Sequence, residues 1–108
     1  MKNLLKILTL LFACFSFSQY EVLHINSSWN QKYDLDLSGL KHATVKYAFL
    51  EDQTPSFRQQ IKSVPTILVF DKNGRTRGQW SGGIALKLKV TKEDIQDHIN
   101  KLIELEKN

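Results

Sequence analysis

The chain has 108 residues, a formal charge of +4 and a single cysteine. One cysteine cannot pair within the chain, which excludes a disulfide-stapled scaffold, a cysteine-rich zinc site and an iron–sulfur cluster. The charge is too mild for the basic footprint of a nucleic-acid binder, and the length fits one domain burying roughly 60–65% of its unfolded surface.

The first segment in chain order reads as a targeting signal. Met1–Lys6 carries two lysines and no acid. Ile7–Phe17 is an apolar run broken only by Thr9 and Ser16, and small residues close it at Ser16-Phe17-Ser18. This is the layout of a secretory signal peptide. The run is too short for a membrane span, which needs about 20 apolar residues, and no other segment approaches that length. Residues 1–18 are therefore read as a signal cleaved after Ser18, and residues 19–108 as one exported domain, periplasmic or secreted. Lys2, Lys6 and Cys14 leave with the signal, so 13 basic residues face 11 acidic ones and the net charge falls to +2. The alternative is an envelope lipoprotein. Leu11-Phe12-Ala13-Cys14 resembles a lipoprotein box, with Phe12 where a smaller residue is usual, and Cys14 would carry the lipid. Either way no thiol stays in the domain.

The elements of the domain follow. Tyr20–Asn26 is β-rich and mostly apolar, a candidate first strand. Asn30–Leu40 predicts a short helix of about two turns ending near Gly39. Ala43–Leu50 is a second strand. Pro55–Lys62 is a short helix, with proline in its first turn and Phe57 and Ile61 four apart on one face. Thr66–Phe70 is a continuous apolar run, the mark of a strand covered on both faces. Asp71-Lys72-Asn73-Gly74 is a hairpin turn, with Asn-Gly supplying positive φ, and Arg75–Ser81 returns antiparallel. Gly82-Gly83 ends it. In Ile84–Val90 apolar residues alternate with Ala85, Lys87 and Lys89, as in an edge strand guarded by lysines or a partner surface. Thr91, with Asp94 three residues on, caps a last helix that repeats Ile95, Ile99, Leu102 and Ile103. The order β-α-β-α-β-β-α implies an α/β fold: a mixed four-stranded sheet, its first two strands parallel through a right-handed crossover, with helices on both faces.

Ser63-Val64-Pro65-Thr66-Ile67-Leu68-Val69-Phe70 followed by Asp71-Lys72-Asn73-Gly74 resembles the second half of a thioredoxin. Asp52-Gln53-Thr54-Pro55 matches that family's Asp-x-x-Pro. Gly82-Gly83 is similar to its glycine-bearing loop after the last strand, and Val22–Trp29 to its first core strand and the tryptophan before the active site. The likeness covers Val22–Leu102. It implies a thioredoxin-like fold in minimal form, without the strand and helix that usually begin it, and a cis bond before Pro65.

The likeness breaks at the chemistry. The family's tryptophan precedes a Cys-x-x-Cys pair, whose thiolates attack and resolve a disulfide. Here Trp29 precedes Asn30-Gln31-Lys32-Tyr33, so Asn30 and Tyr33 stand at the sulfur positions. His24 replaces the family's buried acid, and Ala48 the lysine that often faces it. Asn30 suits a helix N-cap, and His24 a satisfied side chain on an apolar strand. His42 and His98 are too scattered for a metal site, and no metal, cofactor or catalytic residue is assigned. Asn26-Ser27-Ser28 fits a glycosylation sequon but abuts the sheet.

In the family, the backbone before the cis-proline pairs with an extended peptide. The expectation is thus a redox-inactive, exported thioredoxin-like protein that binds a polypeptide or protein partner at Trp29, Val64, Pro65, Gly82 and Gly83. The alternatives are a thiol–disulfide oxidoreductase or redox accessory, and a structural module using Ile84–Val90.

Overall fold

A computed structural model describes residues 19–107. The expected signal segment with its cleavage point, and Cys14, lie outside the described residues. Four strands form one mixed sheet in the order β2-β1-β3-β4. β1 is Tyr20–Asn26, β2 Ala43–Phe49, β3 Thr66–Phe70 and β4 Thr76–Ser81. β1 pairs parallel with β2, from Tyr20 opposite Ala43 to Asn26 opposite Phe49. β3 runs antiparallel to both β1 and β4. The two central strands, β1 and β3, are buried along their whole length, which is why neither alternates with polar residues.

Each face of the sheet has its own core. Leu23, Ile25, Leu68 and Phe70 pack on one side with Phe57 and Ile61, brought there by helix α1, Pro55–Gln60. Tyr20, Val22, Ile67 and Val69 pack on the other side with Ile95, Ile99 and Leu102 of helix α2, Lys92–Glu106. α2 begins with the expected capping box. Asp94 N donates to Thr91 Oγ1 at 3.1 Å, and Thr91 N donates to Asp94 Oδ2 at 3.0 Å. In the β3–β4 turn only Gly74 takes positive φ, and Asp71 Oδ1 accepts from the amides of Asn73 and Arg75. β4 therefore starts at Thr76.

Two expected elements do not form. The helix over Asn30–Leu40 is replaced by a 3-10 helix over Ser28–Tyr33 and an extended stretch. Leu35 and Leu37 are two apart, a strand spacing, and both turn into the core. Asp36 Oδ1 accepts from Ser38 N at 2.9 Å, a local side-chain bond that competes with a helix. The edge strand over Ile84–Val90 is also absent. Gly83–Ala85 is a single 3-10 turn, and Leu86 has φ 57. That left-handed residue folds the segment over the end of the sheet, so Leu86 reaches one core while Leu88 and Val90 reach the other.

Candidate groove at the end of the sheet

The register alone gathers the expected site residues. Thr66 lies opposite both Ile25 and Ser81, so the C-terminal ends of β1 and β4 and the N-terminal end of β3 share one edge of the molecule. Trp29 follows β1, Val64-Pro65 precedes β3 and Gly82-Gly83 follows β4. The Val64–Pro65 peptide bond is cis. Gly82 N donates to Pro65 O at 2.8 Å, and Gly83 N to Ser63 Oγ at 3.1 Å. A Cβ on Gly82 would sit 2.9 Å from both Lys87 N and Pro65 Cδ and 3.1 Å from Val64 O. Glycine is needed there for close approach of three backbone segments, not for its φ.

These contacts leave a mostly apolar cavity of about 570 Å³, lined among others by Trp29, Val64, Gly83, Ile61, Ile84 and Leu86. Trp29 is 68% exposed and Ile84 fully exposed. Among the described residues, neither the amide nor the carbonyl of Val64 has a hydrogen-bond partner. Pro65 and Gly82 are the floor behind the lining rather than part of it.

Asn30 is not an N-cap. It sits inside the 3-10 helix, buried to 3% exposure, while Ser27 holds the cap position without a side-chain bond. Its Nδ2 donates to Leu86 O at 3.0 Å and to Asn26 Oδ1 at 3.1 Å. Asn26 in turn donates to Asn30 O and Asp34 Oδ1, at 2.9 and 2.6 Å. This buried amide pair ties the turn after β1 to the segment after β4 and so holds both walls of the groove. The contact spans 56 residues, and no sequence motif marks it.

The other positions singled out by the resemblance are not in the groove. Tyr33 lies beside Lys32 and Lys87, whose Nζ atoms stand 5.1 and 5.9 Å from its ring centre. Ala48 packs against the core that contains Leu23. His24 is buried and accepts at Nε2 from Leu35 N at 3.0 Å, while burial holds its pKa below the usual imidazole value. It works as a neutral fastener of the crossover. Tyr47, its ring 4.9 Å away, does the same: its hydroxyl accepts from Leu37 N and donates to Leu35 O. His98 donates from Nε2 to Arg77 O at 2.6 Å. Among the described residues there is no cysteine and no group of His, Cys, Asp or Glu able to hold a metal ion. None of their helices is long and apolar enough to cross a membrane.

Glu21 is the one charged side chain out of keeping with its place. It is 1% exposed on β1, and neither carboxylate oxygen finds a hydrogen bond. Burial pushes its pKa up to about 7, against a smaller opposing pull from Lys46.

Comparison with known proteins finds no family model that matches the chain and no matching curated protein.

Proposed function

We propose that the chain is a minimal thioredoxin-like domain that has exchanged thiol chemistry for binding, and that it holds an extended polypeptide in the groove between Trp29 and Ile84. One observation carries this reading. Two large apolar side chains, Trp29 and Ile84, stand exposed in the lining of a cavity whose wall includes Val64, a residue with an unused amide and an unused carbonyl. An exposed apolar cleft of this kind favours a partner, and unpaired backbone groups at its wall favour one in extended conformation. The four-stranded mixed sheet and the placement of Trp29, Val64-Pro65 and Gly82-Gly83 at one edge support the family reading. The surface of Ile84 and Leu86 belongs to the same groove, so the binding and interaction-module readings converge on one site.

Calorimetric titration with a permanently unfolded, carboxymethylated polypeptide tests the proposal. Binding by the parent chain is expected, and Trp29→Ala is expected to weaken it by about 2 kcal/mol, the scale of an interface anchor. Val64→Ala should weaken it less, because the backbone bonds remain. Capture that survives Trp29→Ala and Ile84→Asp together would remove the groove from the account.

A further inference from the structure

On the opposite face of the sheet lies a second cavity, of about 340 Å³, at the carboxyl ends of the parallel strands β1 and β2. It exists because the crossover between them is short. A 3-10 helix and an extended stretch stand where a full helix would cover β2, and β2 is left half-buried. The volume suits a small molecule or one side chain.

The hydrogen bonds around this cavity define its chemistry. Most donors in its wall are turned to internal use, the side-chain amide of Gln31 being the exception. Asn26 Nδ2 gives to Asn30 O and Asp34 Oδ1, Tyr47 OH to Leu35 O, and Gln53 Nε2 to Phe49 O. His24 Nε2 is itself an acceptor. Acceptors remain: Asp34 Oδ2 and the carboxylate of Asp52 have no hydrogen bond among the described residues, and no Lys or Arg lines the space. The rings of Tyr47 and Phe49 complete the wall. Carboxylates fit planar cations with paired N–H donors, and aromatic faces attract the same cations.

We propose that this cavity binds a guanidinium group, held between Asp34 and Asp52 against Tyr47 and Phe49. The group comes either from a free small molecule or from an arginine side chain of a bound polypeptide. The proposal does not rest on the groove, which lies on the other face of the sheet.

An NMR titration of the isotope-labelled full chain decides it. The probes are agmatine, the blocked tripeptide acetyl-Gly-Arg-Gly-amide, and neutral pentanamide. Agmatine or the tripeptide is expected to shift the side-chain amides of Gln31 and Gln53 in a saturable way, with pentanamide inert. Saturation by agmatine alone assigns the site to a free small molecule, and saturation by the tripeptide alone to a polypeptide arginine. The pair Asp34→Asn and Asp52→Asn should weaken binding roughly tenfold or more, the scale of a charge-assisted bond. Each single variant tests the same point should the pair fail to fold. Glu93→Gln, the same charge change as either single variant but in the first turn of α2, should leave binding unchanged. Absence of saturable shifts with both cations overturns the proposal. So does equal binding of pentanamide, or equal weakening by Glu93→Gln.

Discussion

Glu21 shows most directly how one residue sets a property of the whole chain. Its folded pKa of about 7 lies above the unfolded value of 4.5. Between these two values the folded protein binds more protons than the unfolded one, so stability falls as pH rises across that window and levels off above it. Glu21→Gln imitates the protonated form. It should change stability little at pH 4 and add on the order of 2 kcal/mol at pH 8, read by urea unfolding at both values. An equal gain at both pH values would show that burial of the charge is not the cause. Gly82 makes a different point. Gly82→Ala places a methyl against two backbone segments and Pro65, and should cost about 1–3 kcal/mol. Because the clash lies at the groove floor, it should also weaken polypeptide binding. Of the Gly82-Gly83 pair, it is Gly83, with φ 65 and open space around it, whose backbone conformation favours glycine. That Trp29, Val64 and Gly83 line one cavity was legible because each sits near a strand end, where linear position and spatial position coincide. Asn30 was not, because its partner is a carbonyl 56 residues away.

At the scale of elements, strands read well and the connections between them did not. The continuous apolar run Thr66–Phe70 and the mostly apolar Tyr20–Asn26 both form strands, and both are buried throughout. Thr91 and Asp94 form the capping box that their spacing implies. Thr91→Ala should destabilise α2 by about 1 kcal/mol, seen as a lower urea midpoint with an unchanged slope. The crossover after β1 misleads because Tyr33, Leu37 and Leu40 fall at near-helical intervals. The backbone there is instead held by His24 and Tyr47 from the neighbouring strands, a tertiary constraint that local pattern does not contain. Ile84–Val90 misleads for the opposite reason. Its alternation is real, but Gly83 and Leu86 adopt left-handed backbone, so the alternating side chains go to two cores and to solvent rather than to two faces of a strand.

The whole molecule divides its labour between the two faces of one sheet. α2 closes one core and α1 the other, and the end of the sheet where β1, β3 and β4 meet is left open with exposed apolar side chains. That arrangement needs no thiol: the side chains at positions 30 and 33 hold the fold or lie beside lysines. Purified residues 19–108 should therefore show no turnover in an insulin-reduction assay, and turnover would contradict the binding account. The most direct measurement of that account is an NMR titration with the unfolded carboxymethylated polypeptide. The account predicts that the Trp29 indole and the Val64 amide shift together and saturate together. Saturable binding that leaves both unmoved, with shifts on some other surface, would contradict it.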